Sequence, residues 1–395
     1  MRICLLIRDY SSFTPFVGGT SVRYAALGKE LARLGHEVHA VAATTEPDRC
    51  LDDGGIGLHL VHEPHPDRLS FAAETVWSLA AHKTLERLGR FDVVYAGEWG
   101  GDAWRHSLAG RRGVLVTNLV TSLEQLLQIS PGLHRPPAVR IQHLIQRHLE
   151  RAQTERSDAL VACSHAVLDW ARGLWRLDRV RTEVIPNFVD VEEIRRLAAA
   201  GVPPIGFPDS GPVVLFSGRL ESRKGVHVLA EAMRSVWSTH ADAQLVLVGA
   251  DSGWRQGSMA EHVQELVGRR RAQVHVLGHQ PPEQLFPALA AADVVALPSL
   301  WEAFGVAALE AMVLGKTPIL TRGSGFNEFF REQDDGLMVD PGEAGQLAEA
   351  IGELLTNTGL RSRFERAASE RAEGFHVRTM APRHLALFEE IVAAR

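Results

Sequence analysis

Short apolar runs alternate with longer segments of helical period along this chain, and that alternation does most to narrow its fold. Residues 3–7 form an apolar run, 20–34 carry helical spacing, and 37–43 are apolar again. A strand, a helix and a second strand in that order pack as a parallel βαβ unit. The first helix is expected to bury Val22, Ala26, Leu27, Leu31 and Leu34 and to stop at Gly35. Further strands are expected at 58–61, 92–96, 114–117 and 159–163, completing one doubly wound unit. A stretch rich in proline and glycine, AAAGVPPIGFPDSGP at 198–212, reads as a linker. After it the alternation restarts, with strands at 213–216, 244–248, 274–277, 294–297 and 317–320 and helices at 226–237 and 306–314. Two α/β domains are therefore expected, 1–198 and 199–377, which suits a chain of 395 residues. No period of a solenoid repeat is visible.

Charge and composition remove other classes. Lys and Arg total 42 and Asp and Glu 48, a net −6, which disfavours general nucleic-acid binding because neutralising phosphates needs a basic excess. The sequence lacks an apolar run long enough to cross a bilayer, and the run between Arg2 and Arg8 is too short for a signal-peptide core. Cys4, Cys50 and Cys163 form no CxxC pair or dense disulfide pattern, so a reducing, cytoplasmic location is expected. The basic segment RIQHLIQRHLERAQTER at 140–156 has Ile141, Leu144, Ile145, His148, Leu149 and Ala152 at helical spacing. That stripe is expected to pack on the first domain, and membrane association is not expected. The sequence is compatible with a homodimer, though no pattern in it calls for one.

Several chemical signatures fail on position. Gly315-Lys316-Thr317 is preceded by Glu310 where a phosphate loop needs glycine, and Gly323 and Gly325 are followed by Glu328 where a dinucleotide fingerprint needs one. GADSG at 249–253 centres on Asp251 rather than serine, and no HExxH occurs. The informative segment is PSLWEAFGVAALEAMVLG at 298–315, a strand exit that opens a helix. Free amides and the helix dipole suit a phosphate there, and Phe304, Gly305 and Val306 would present those amides. Glu302 and Glu310 are eight residues apart, about 12 Å on a continuous helix. That span suits the two ends of a nucleoside diphosphate sugar, with Glu310 on the ribose hydroxyls and Glu302 on the transferred sugar. Just after the first strand of the second domain stands SGRLESRKG at 217–225, where Ser217, Gly218, Arg219 and Lys224 gather. Arg219 and Lys224 are paired cations able to neutralise a diphosphate and the charge it gains on leaving. Gly18, Gly19 and Thr20, between the first strand and helix, allow close backbone approach and a helix cap.

Together Gly18-Gly19, VIPNFVD at 184–190, SGRLESRKG, VLGHQPPEQL at 276–285 and the Glu302-x7-Glu310 segment resemble glycosyltransferase family 4, the retaining enzymes of GT-B fold. The resemblance implies two Rossmann-like domains whose parallel sheets face a deep interdomain cleft, the first binding the acceptor and the second the donor. It implies that the C-terminal helix, about 378–395, crosses back to the first domain. It implies no prosthetic group and no metal, and a nucleoside diphosphate sugar, UDP- or GDP-linked, as co-substrate. On matching positions Arg219, Lys224 and Glu302 would be catalytic. Gly278 and His279 would lie near the base, and Gly18 and Gly19 would line the reaction centre. A small-molecule acceptor such as an aminocyclitol, an inositol-like polyol or a thiol is expected, with Thr20, Tyr95, Glu98, Trp99 and Asn118 as candidate contacts. The family often carries an acceptor-domain histidine where Asn118, Leu119 and Val120 stand here. The competing readings are a nucleotide-sugar epimerase or hydrolase of the same fold, and a non-catalytic nucleotide-sugar-binding protein.

Overall fold

The computed structural model describes residues 1–10, 19–63, 72–110, 113–129, 137–252 and 257–395, and counts and absences below refer to these. The chain divides into two compact units, Met1–Asn187 with Val377–Arg395, and Phe188–His376.

The strands of unit 1 are β1 (Arg2–Leu6), β2 (Glu37–Thr44), β3 (Arg49–Asp52), β4 (Ile56–His62), β5 (Val93–Gly97), β6 (Val114–Leu119), β7 (Ala159–Ala162) and β8 (Arg181–Val184). Their order is β3-β4-β2-β1-β5-β6-β7-β8, and every pairing is parallel except β3 with β4. Its helices are α1 (Gly19–Arg33), α2 (Ala73–Leu88), α3 (Trp104–Ser107), α4 (Leu123–Ile129), α5 (Pro137–Thr154), α6 (His165–Leu174) and, from the chain end, α14 (Val377–Ala393). β1, β5 and β6 are buried almost throughout, as strands covered on both faces must be. α14 packs on α1 and β6, and its His384 and Phe388 meet the ring of Tyr95 at 5.7 and 5.5 Å between centroids.

Unit 2 holds β9 (Val213–Ser217), β10 (Gln244–Val248), β11 (Val274–Gly278), β12 (Val294–Ala296), β13 (Pro318–Thr321) and β14 (Leu337–Val339), all parallel, in the order β11-β10-β9-β12-β13-β14. Its helices are α7 (Val191–Ala200), α8 (Val226–Thr239), α9 (Met259–Val267), α10 (Pro282–Ala291), α11 (Val306–Val313), α12 (Ala344–Thr356) and α13 (Thr358–Ala372). The units part at Asn187, ahead of the 198–212 stretch, because α7 packs on α10 and α11 of unit 2.

Two helix faces differ from the expectation. On α1, Leu27 and Leu31 are buried while Val22 and Leu34 are exposed, and Ser21, Arg23, Tyr24 and Glu30 take inward positions. On α5 the inversion is larger. Leu149 and Ala152 are buried as expected, but Ile141, Leu144 and His148 face out and Gln142, Gln146, Glu150 and Gln153 face in. Loops leaving β5 and β6 explain this, since their backbone groups need partners where water is excluded. Glu150 accepts from the amides of Gly100 (3.1 Å) and Leu123 (2.9 Å), and Gln153 accepts from Ala103 (2.8 Å) and donates to the Gly97 carbonyl (2.9 Å).

Candidate active site

In each sheet the strand order reverses at one place, between β1 and β5 in unit 1 and between β9 and β12 in unit 2. Loops leaving the carboxyl ends of such strands diverge and open a crevice for a ligand. In unit 2 those loops are SGRLESRKG, after β9, and PSLWEAFG, after β12.

The two loops are stitched together. Leu300 donates its amide to the Arg223 carbonyl at 2.8 Å, and Arg223 donates to the Trp301 carbonyl at 3.2 Å. Gly225 has φ +68, and a Cβ there would lie 1.9 Å from the Pro298 carbonyl oxygen, so only glycine allows this approach. The turn it closes, Ser222–Lys224, leads straight into α8 and aims Lys224 at Glu302, with which it forms an ion pair. Arg223 stands 3.9 Å from the same carboxylate and 2.7 Å from Glu221. Ser299 donates to Glu302 at 3.4 Å, and the Ala303 amide donates at 3.2 Å.

Burial holds the Lys224 ammonium below its usual range, against the pull of Glu302. Burial alone would raise Glu302, but Lys224 and then Arg223 outweigh it and the carboxyl sits below its usual range. Glu302 is therefore ionised at neutral pH, and a second anion can compete with it for the Lys224 side chain. Arg219 is exposed and 3.4 Å from Glu221, free to swing toward a ligand in a way Arg223 is not.

Glu310 lies on α11 with burial alone acting on it, which pushes its carboxyl up to about 7. A desolvated carboxyl of this kind gains most from a partner that donates hydrogen bonds, such as a vicinal diol. Helical geometry begins only at Val306, so the 12 Å span derived from a continuous helix over 302–310 does not describe this segment. Gly305 caps α11 at φ +96, where a Cβ would lie 2.1 Å from the Phe326 ring. The Phe304 side chain is buried and stacked on Phe329 at 4.6 Å, so only its backbone can face a ligand. Val306 opens α11 half-buried, Ser217 ends β9 buried and Gly218 follows half-buried. Gly278 closes β11 at the same end of the sheet, with His279 exposed beside it.

The unit 1 candidates separate. Gly18 lies outside the described residues, Gly19 is exposed as the first residue of α1, and Thr20 is half-buried. Trp99, in the turn after β5, is 41 % exposed. Tyr95 and Asn118 are buried and joined by a 3.0 Å hydrogen bond from the phenol, a place in the core rather than on a ligand surface. Glu98 is also buried and accepts from the Val120 amide at 2.7 Å; burial pushes it up to about 7. The deeper Glu150 is pushed up to about 8. Sequence reasoning passed over Glu150 and Gln153, although Gln142, Gln146 and Glu150 recur every four residues. It also did not separate Arg223, the buried arginine, from its exposed neighbour Arg219.

Among the described residues, Asp190, Glu192 and His376 form a group with metal-like donor atoms, but Asp190 caps α7 and His376 pairs with Glu192.

Two family models match the chain in succession, Glycosyltransferase Family 4 over residues 17–193 and Glycosyl transferases group 1 over 202–371. The D-inositol 3-phosphate glycosyltransferase of Corynebacterium urealyticum is 27 % identical over 99 % of this chain and 96 % of its own. Sucrose-phosphate synthase from Thermosynechococcus elongatus superimposes with a TM-score of 0.79 at 22 % identity, covering 100 % of both chains. Anabaena HepE, solved in complex with UDP-glucose, gives a TM-score of 0.67 at 20 % identity over 99 % of this chain and 100 % of its own. With two doubly wound α/β units, two family models in tandem and these neighbours, the chain belongs to the group 1 glycosyltransferases and has their GT-B fold.

Proposed function

We propose that this protein transfers a glycosyl group from a nucleoside diphosphate sugar, UDP- or GDP-linked, to a small polyol-type acceptor with retention of anomeric configuration. The observation that carries the reading is the pairing of Lys224 with Glu302 at the strand-order reversal of unit 2, with Arg219 exposed beside it and Glu310 without an ionic partner on the following helix. In this reading the diphosphate takes Lys224 from Glu302 and draws in Arg219, and both cations stabilise the charge that grows as the sugar departs. Glu302, released from that pair, accepts hydrogen bonds from hydroxyls of the transferred sugar, assisted by the backbone at Phe304 and Gly305. Glu310 accepts from the ribose diol, while Gly278 and His279 border the base.

The Corynebacterium relative acts on an inositol phosphate by its name, which favours a cyclitol-like polyol as the acceptor. HepE, solved with UDP-glucose, favours a UDP-sugar among donors. Thr20 and Trp99 are the acceptor contacts we retain, since Tyr95, Glu98 and Asn118 are buried. Retention without a side-chain base fits a front-side path, in which a donor phosphate oxygen takes the acceptor proton. The test is mass spectrometry of wild type and Lys224→Ala with UDP-, GDP-, ADP- and dTDP-sugars, each with and without cyclitol, aminocyclitol and thiol acceptors. Acceptor-dependent transfer, lost in the variant, with the donor's anomeric configuration kept by NMR, supports the reading. Donor breakdown that needs no acceptor contradicts it.

A further inference from the structure

We propose that the outer face of α5 docks on an anionic lipid bilayer. At about 100° per residue, Arg140, Ile141, Leu144, Arg147, His148 and Arg151 fall within roughly one third of the helix circumference. That arc faces solvent, with Ile141 56 % and Leu144 61 % exposed, and it contains three arginines, a histidine and no acid. The protein as a whole carries a net charge of −6, so this face runs against its charge balance. A surface helix ordinarily turns its aliphatic residues inward and its polar ones out. Here Gln142, Gln146, Glu150 and Gln153 face in beside Leu149 and Ala152, with Glu150 and Gln153 holding the loops that leave β5 and β6, and Ile141 and Leu144 are left outside.

Lipid fits this surface better than protein does. Protein interfaces centre on large aromatic anchors seated in packed pockets, whereas this arc holds no Trp, Tyr or Phe and its aliphatic groups alternate with arginines along one helix. That alternation is what an interfacial helix needs, with aliphatic groups entering the acyl boundary while arginine stems reach back to headgroup phosphates. Arg147 and Arg151 are partnered by Glu124 and Glu155, but their side chains remain 41 % and 50 % exposed. Exposed pairs of that kind are weak, so lipid phosphates can replace those carboxylates. The inference does not depend on the transferase reading, because vesicle binding requires neither donor nor turnover.

The test is co-sedimentation of the full chain with vesicles of phosphatidylcholine alone and of phosphatidylcholine with about a third phosphatidylglycerol, at low and high salt. With each nearby arginine contributing about a fivefold gain in partition onto an anionic surface, at least tenfold more protein should sediment with the anionic vesicles, and high salt should reverse it. The double variant Ile141→Glu, Leu144→Glu should lose that binding while keeping the wild-type melting curve, since neither side chain is packed. Val202→Glu with Ile205→Glu, the same charge change at exposed sites on the segment following α7, should bind as wild type. Equal sedimentation with neutral and anionic vesicles, none with either, or binding unaffected by the α5 change would overturn the proposal.

Discussion

Glu310 should be a residue whose loss stabilises the empty protein while disabling it. In the folded chain its carboxyl ionises near pH 7 instead of 4.5, through burial alone. Between those values the folded chain holds a proton that the unfolded chain has released. Stability therefore falls as pH rises from about 4.5 to about 7 and is level above that. At about 1.4 kcal/mol for each tenfold change in proton affinity, the cost at pH 8 is at most about 3 kcal/mol. Partial exposure of the side chain reduces that figure. Glu310→Gln replaces the carboxyl by a neutral group of the same size. The variant should be more stable than wild type by up to about 3 kcal/mol at pH 8 and equal to it at pH 4.5. Its donor affinity should fall at least tenfold, because a hydrogen bond to a carboxylate is worth about 1.5–3 kcal/mol and an amide replaces it poorly. The assay is urea unfolding at the two pH values, with unit 2 followed through hydrogen exchange of β9 and β12 amides so that unit 1 does not confuse the transition. A stability gap that is the same at both pH values, or a variant that binds donor as wild type does, would refute the reasoning.

Three further outcomes are expected. Gly225→Ala must relieve a 1.9 Å contact with the Pro298 carbonyl and hold φ +68, strain of about 1–2 kcal/mol before any clash; it should lower Tm by several degrees and turnover about 100-fold, and a wild-type melting curve would contradict this. Glu150→Ala strands the amides of Gly100 and Leu123 and should cost about 2–6 kcal/mol in unfolding free energy, at about 1–3 kcal/mol per buried unpaired group; Glu150→Gln, which keeps an acceptor, should cost less than half as much in the same measurement. Trp99→Ala should raise the acceptor KM with little change in donor affinity, a split that initial-rate kinetics would show and that an equal effect on both substrates would contradict.

The parts of the fold that were readable in the sequence are those where one physical demand dominates. Central parallel strands are buried on both faces, so 3–7, 213–216 and 244–248 read as apolar runs and are strands in the structure. Edge strands pair on one side only and carry no such run; Arg49–Asp52 and Arg181–Val184 are mostly polar, and neither was anticipated. Helix faces were read by hydrophobic spacing, which fails when a helix must satisfy backbone groups instead of burying aliphatic ones, as α5 does. In unit 2 the clustering of charge around Lys224 and Glu302 was legible because both loops leave neighbouring strand ends. Which arginine of the Arg219 and Arg223 pair is buried was not, since that depends on a hydrogen bond to the Trp301 carbonyl across 78 positions. The expected contacts at Tyr95 and Asn118 came from positions matched to the family resemblance, and position in the sequence does not reveal that their side chains turn inward and bond to each other.

The central claim is that unit 2 holds a nucleoside diphosphate sugar through Lys224, Arg219 and Glu310. Isothermal titration of UDP- and GDP-sugars into wild type, Lys224→Ala and Glu310→Gln tests it most directly. The account predicts saturable binding of one donor by wild type, weakened at least tenfold in both variants while their folds persist by circular dichroism. Wild type that binds no nucleotide sugar, or variants that bind as tightly as wild type, would contradict it.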